Sequence, residues 1–306
     1  MLKDFLNNFF AKKEHGDINI TIDGVNVSGS IHAKGMKKED YGQVVNHPIN
    51  FKSFSSLKIS GPFNTIIQQG DTHDVTLEIN EKLIPFLKVS TVNNMLDVKI
   101  EKNVLINPVL NLIITAPQLD LIDYKGVGKL DIKEFKQSTM KVIKSGAGDC
   151  TFKGVFETLS LDVLGTGTFQ ADVTADTATI NKISSGDCIL TGGFNEATFN
   201  IDGTGSFDYS GQHSNFIKMI NAAVGSSSLK GSCDTFDLKT SGVGSIKAVN
   251  FKAANVTLNT SGVGSIKLTA TESIVGSSTG IGGVHIHGNP KNARFVKKSI
   301  GELVYH

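Results

Sequence analysis

His285 and His287 stand two residues apart in the segment VHIHG near the C-terminal end of the sequence. On an extended backbone, residues i and i+2 leave the same face, so the two imidazoles could share a metal ion such as zinc. The sequence shows no third ligand beside them, and only His213 and Cys233 are left open on distance. The pair therefore stands as a weak metal candidate against a reading as surface histidines, and no cofactor is expected. Carboxylates are the other side chains with the right chemistry. Hydrolysis of a glycosidic bond needs two of them about 5 to 10 Å apart, yet Asp131, Asp172 and Asp208 lie scattered beside Lys133, Gln170 and Ser210. No serine sits in a nucleophile elbow. No catalytic residue is assigned, and the chain is expected not to be an enzyme.

The elements that would position these side chains follow from a repeat. Three-residue corners recur every 18 to 20 residues: Gly126-Val127-Gly128, Gly146-Ala147-Gly148, Gly165-Thr166-Gly167, Ser184-Ser185-Gly186, Gly203-Thr204-Gly205, Ala223-Val224-Gly225, Gly242-Val243-Gly244, Gly262-Val263-Gly264 and Gly280-Ile281-Gly282. The third position is always glycine: Gly128, Gly148, Gly167, Gly186, Gly205, Gly225, Gly244, Gly264 and Gly282. Four and six residues after each corner begins come apolar or small side chains, such as Leu130 and Ile132, Phe169 and Ala171, or Val284 and Ile286. Polar residues mostly alternate with them, which is the period of a strand. A second alternating stretch follows, as in Leu159, Leu161 and Val163, so each repeat supplies two strands and two bends. The predicted fold is all-β, a parallel β-helix of 18- to 20-residue rungs. In it each corner glycine meets either a positive φ or a lack of room for a Cβ.

Charge and cysteines narrow the function. Thirty basic and 29 acidic residues leave a net charge of +1, which points away from nucleic acid as a partner. Cys150 and Cys188 share one inward column two rungs apart, about 10 Å, beyond the roughly 7 Å reach of a disulfide; both read as buried small hydrophobes. Cys233 has no evident partner. The chain has no Trp and four Tyr, so it lacks the aromatic platforms that glycan binding favours, and Phe152, Phe199 and Phe236 read as core.

Before the repeat, residues 1–15 place Leu2, Phe5, Leu6, Phe9 and Phe10 at helical spacing with Lys12 and Lys13 in the last turn. That is a short amphipathic helix, a candidate interaction helix that could cap the open end of the solenoid, dock on another protein or lie on a membrane surface. Its weakly basic polar face weakens the last option. No apolar run is long enough to span a membrane. Met1 to Ala11 lacks the continuous apolar core of a secretory signal, so the chain as written reads as cytoplasmic. Residues 16–50 read as short strands and a polar connector, and residues 51–306 as the β-helix domain.

Phe54-Ser-Ser-Leu57-Lys-Ile59-Ser-Gly61, then Ile66-Ile67-Gln-Gln-Gly70-Asp71, Leu96-Asp-Val98-Lys-Ile100, Thr115-Ala116-Pro117-Gln-Leu119 and the serial Gly-x-Gly corners together resemble the GIN domain family, also called the autotransporter adhesin head domain. The likeness covers about residues 51–306. It implies a right-handed β-helix, a bacterial source, a non-enzymatic adhesin-like role, self-association, and a cell-envelope or secreted location reached by a non-classical route. Two departures stand out: family members often begin with a signal or lipoprotein peptide, and their corners often read Gly-Ser-Gly-Asp, of which only Asp149 and Asp187 keep the acid here.

Three readings of function are therefore carried. The first is a bacterial structural or adhesin-like protein that binds another protein, a glycan or its own copies through the faces or ends of the β-helix. The second is a cytoplasmic scaffold that assembles end to end through unpaired strand edges. The third is a polysaccharide-active β-helix enzyme.

Overall fold

The computed structural model describes residues 16–22, 25–31, 40–101, 108–298 and 300–306, with backbone alone up to residue 31. The amphipathic segment carrying Leu2, Phe5, Leu6, Phe9 and Phe10 lies outside the described residues. In chain order the strands are β1 (Gly16–Ile22), β2 (Val25–Ile31), β3 (Val44–Pro48), β4 (Ser56–Gly61), β5 (Asn64–Gln69), β6 (Asp74–Asn80) and β7 (Leu87–Val92). Then come β8 (Met95–Ile100), β9 (Leu110–Ala116), β10 (Leu121–Gly126), β11 (Leu130–Lys144), β12 (Cys150–Val163), β13 (Phe169–Ser184) and β14 (Cys188–Gly203). The last are β15 (Phe207–Asn221), β16 (Ser227–Thr240), β17 (Ile246–Thr260), β18 (Ile266–Ser278), β19 (Val284–His287), β20 (Asn292–Lys297) and β21 (Leu303–Tyr305). β1 and β2 form a separate antiparallel hairpin, and the other 19 strands belong to one sheet.

From β10 onward the chain winds as a parallel β-solenoid, about ten turns in all. Each strand pairs with its equivalent in the next coil, so that Cys150 stands over Phe169 and Phe169 over Cys188. All 18 side chains that the sequence places in the two inward columns are buried. Of the outward columns only Thr269 is buried, and its hydroxyl donates to the Val249 carbonyl at 2.8 Å.

The two strands of a repeat are joined more tightly than the sequence suggests. In β13 the alternation buries Phe169, Ala171, Val173 and Ala175, exposes both Asp176 and Thr177, then resumes with Ala178 and Ile180. Two consecutive outward residues turn the strand without a loop, so the second bend of each rung lies inside one continuous strand of 13 to 16 residues. The ladder breaks at the glycine corner and slips register at bulges inside several rungs, as between Gly192 and Glu196 and between Ala248 and Lys252. Along the axis the core is aromatic: Phe194, Phe199, Phe207, Tyr209, Phe236 and Phe251 meet with ring centroids 5.1 to 6.3 Å apart, in the offset and edge geometries that such pairs favour.

The N-terminal end departs from simple stacking. β4 lies between β8 and β10, and β5 between β9 and β11, so an early coil is sandwiched between two later ones. β6 pairs antiparallel to β9, β3 antiparallel to β6, and β7 antiparallel to β8. The end of the parallel ladder is thereby covered by strands running the other way, and Val44 to Pro48, the last part of the polar connector, already belongs to the sheet.

Candidate functional site

The corner column is the most ordered feature of the solenoid, and its three positions obey different physics. An ideal Cβ on Gly148 would sit 1.7 Å from the Gly128 carbonyl oxygen, and one on Gly244 1.9 Å from that of Gly225. No side chain survives such an approach, so space alone demands glycine at the third position. Positive φ adds to this at Gly167 and Gly205, at +86° and +87°, but Gly148 shows that it is not required. The first position is as tight where it is glycine, with a Cβ on Gly146 falling 1.5 Å from Gly126 O, but it accepts Ser184 and Ala223 in two rungs.

The middle residue of each corner points outward. Thr204, Val224, Val243, Val263 and Ile281 are bridged in series along the axis, and the Gly282 N–H bonds to Ile300 O at 3.0 Å just as Gly264 N–H bonds to Ile281 O. Ile300-Gly301 is thus a further corner, and Gly61-Pro62-Phe63, lying under Gly126 and Gly128, is another. The result is a ridge of Val224, Val243, Val263, Ile281 and Ile300, each about half exposed or more. These five apolar side chains on consecutive coils are about 4.8 Å apart.

Two lysines support the corner from inside. Lys144 and Lys182 are buried; the Lys182 ammonium donates to Ser184 O at 3.2 Å and Thr204 O at 2.7 Å, and Lys144 donates to Gly146 O at 2.8 Å and to Thr166 O. Burial holds both pKa values below the ordinary lysine range. Asp187 fastens successive coils from outside, accepting the Ser206 N–H at 2.8 Å and its hydroxyl at 2.9 Å, and these bonds lower its pKa. Asp149 accepts the Thr168 N–H in the same way at 2.8 Å. The two corner acids are structural hooks between coils.

The three cysteines are free and buried. Burial raises the pKa of all three thiols, to about 12 for Cys188 and Cys233.

The scattered acids stay scattered. Asp131 bonds to Lys133 and to the Thr151 hydroxyl at 2.7 Å; partial burial works to raise its pKa, but these bonds outweigh it and hold the carboxyl below the usual range. It lines an open groove of about 520 Å³ with Asn64, Glu78, Asn111 and Lys129, where Asn111 donates to Glu78 at 2.9 Å. An acid so held is ionised near neutrality and is a poor proton donor.

His285 and His287 do share a face, but neither His213 nor Cys233 joins them. His213 faces Ser232 at 3.1 Å and Asp234 at 3.3 Å, and Cys233 is buried. The neighbours are instead His306, whose Nε2 lies 3.2 Å from His285 Nδ1, and Glu302, 3.2 Å from His285 Nε2. Sequence reasoning missed both, because nothing in the order of residues says that β21 pairs with β19.

The family model described as "Putative auto-transporter adhesin, head GIN domain" matches residues 53–214 and 184–290. Among solved structures, a "putative adhesin" from Bacteroides fragilis NCTC 9343 is 20% identical over 86% of this chain and 97% of its own, with a TM-score of 0.35. One from Parabacteroides merdae ATCC 43184 is 14% identical over 86% and 96%, with a TM-score of 0.48. A "putative lipid binding protein" from Parabacteroides distasonis ATCC 8503 is 16% identical over 87% and 97%, with a TM-score of 0.46. No functionally curated protein matches the chain.

Proposed function

The chain belongs to the GIN-domain family of auto-transporter adhesin heads, and from that premise we propose a non-enzymatic, adhesin-like binding protein of the bacterial envelope or exterior. It works by surface complementarity along the rigid side of its solenoid, toward a protein, a glycan or another copy of itself.

The observation that carries this reading is the ridge of Val224, Val243, Val263, Ile281 and Ile300. Contiguous apolar side chains left in water are a recurrent mark of an interaction surface. The flanks of the ridge are held by corner glycines that admit no side chain and, before Val224, by the buried Ala223, so the partner would meet a preformed edge and little would need to be ordered on binding. The family is described as an adhesin head and not as an enzyme, in keeping with the absence of paired carboxylates at matching offsets in the sequence.

The test is a Val243→Asp/Val263→Asp variant. Wild-type chain is expected to self-associate in sedimentation runs over a wide concentration range, or to be retained on purified envelope glycans, and the charged variant to do neither while keeping its β spectrum. A wild-type chain that is strictly monomeric and retained by no envelope component would sink the proposal. Filaments or defined oligomers in electron micrographs, present with and without residues 1–15, would instead favour the cytoplasmic scaffold. Cleavage of uronate polymers with added calcium would favour the enzyme.

A further inference from the structure

Three imidazoles and a carboxylate gather on the outer face of the last two coils. His285 and His287 leave β19 on one side, and the His306 N–H bonds to Ile286 O at 2.9 Å, which continues the β19–β21 register and sets His306 opposite His287. The rings of His287 and His306 stack with centroids 4.3 Å apart and planes 8° from parallel. His285 Nδ1 lies 3.2 Å from His306 Nε2, while its Nε2 lies 3.2 Å from Glu302 Oε1.

Two consequences follow from these contacts. Glu302 accepts the Nε2–H of His285, which leaves the lone pair on Nδ1, facing His306; this carboxylate-to-imidazole arrangement is the one that orients metal-binding histidines. The gap between the two facing nitrogens also matches a ligand edge, because nitrogens bound to zinc at about 2.0 to 2.1 Å in a tetrahedron stand about 3.3 Å apart. In the metal-free protein the His306 Nε2–H bridges that gap as a donor, and moving its proton to Nδ1 frees the second lone pair.

We propose that His285 and His306 form a two-point clip for a divalent cation that favours imidazole, with zinc as the representative ion, oriented by Glu302 and completed by His287 and water. Among the described residues no three ligating groups already surround one point, so binding draws His287 out of its stack on His306. Lys267, in register with His285 on the neighbouring strand β18, is a nearby cation whose charge acts against a bound divalent ion. The clip joins β19 to the three-residue strand β21 and so fastens the terminal coil.

Zinc chloride titrated calorimetrically into the whole chain at about pH 7.5, where imidazole is neutral, tests the site. One equivalent is expected. His285→Ala and His306→Ala should each weaken binding by roughly tenfold or more, and Glu302→Ala by about tenfold, the usual loss for an orienting partner. His213→Ala should bind as wild type does. Circular dichroism shows whether each variant keeps its fold, and His285→Gln repeats the first test with a milder change. No measurable heat of binding, binding unaffected by His285 and His306, or equal loss in His213→Ala would each overturn the proposal.

Discussion

Replacing Gly148 by alanine isolates the space requirement of the corner, because Gly148 does not occupy the left-handed region. Its new Cβ would stand 1.7 Å from Gly128 O and 2.6 Å from Gly128 C, so the two coils must part locally by more than about 1 Å to reach ordinary contact. Two ladder bonds cross at this point, Ala147 N–H to Gly126 O at 3.0 Å and Leu130 N–H to Asp149 O at 2.9 Å. Parting the coils stretches both beyond useful length. At about 1 kcal/mol each, with packing lost around Tyr124 and Phe63 below, the expected cost is about 3 kcal/mol, at the severe end for one substitution. Ala147→Val is the matched control. That residue is exposed and valine already fills its column at Val127 and Val243, so the change should stay within about 0.5 kcal/mol.

Solenoids need not unfold in one step, so the measurement is hydrogen exchange resolved along the chain, supported by urea unfolding. Amides at residues 126–131 and 146–151 should lose protection in Gly148→Ala while those beyond β15 keep theirs. If Gly148→Ala proved as stable as Ala147→Val, steric exclusion would not be what fixes glycine in this column.

Lys182→Met trades two hydrogen bonds to corner carbonyls against the cost of burying an ammonium, so stability near neutrality should change by no more than about 1 kcal/mol. Because burial lowers the pKa of Lys182 from 10.5, the unfolded chain binds more protons below that value, and the wild type should gain stability relative to Lys182→Met as pH rises toward 10.5; a gap independent of pH in urea titrations would contradict this. Cys150, Cys188 and Cys233, buried with raised pKa values, should resist a thiol reagent in the native state and react only on unfolding. A rapidly labelled thiol in the native protein would argue against that packing.

The rungs were legible because strand periodicity is a one-dimensional signal: every inward column named from the sequence is buried. What escaped was pairing between segments. That β4 and β5 slot between β8–β9 and β10–β11 leaves no trace in alternation, since alternation reports that a strand has two faces and not which strand lies beside it. The same blindness hid His306 and Glu302. Gly61-Pro62-Phe63 escaped for another reason: its third residue is Phe63, whose ring is buried in the core, so the glycine rule fails where only the cap lies beneath. Lys144 and Lys182 were within reach. Alternation carries Ala178 and Ile180 inward and Lys182 with them, and the charge alone discouraged reading it as core.

The middle residue of the corner separates what folding demands from what it leaves free. Its neighbours are held to glycine or, at Ser184 and Ala223, another small residue by the crowding of the coil below, whereas its own side chain meets water in every rung from Val127 to Ile300. Folding tolerates Ala147, Thr166, Ser185 and Thr204 there without loss of the ladder, so it does not require the apolar residues that follow. Yet Val224, Val243, Val263, Ile281 and Ile300 fill five coils in succession. Exposed apolar residues on a regular backbone invite unwanted association, and threonine or serine would serve the fold equally well in this column. The change from Thr166, Ser185 and Thr204 to five apolar residues along one column, at constant backbone geometry, is therefore not a demand of the fold, and it is on this C-terminal half of the solenoid that the proposed binding role rests.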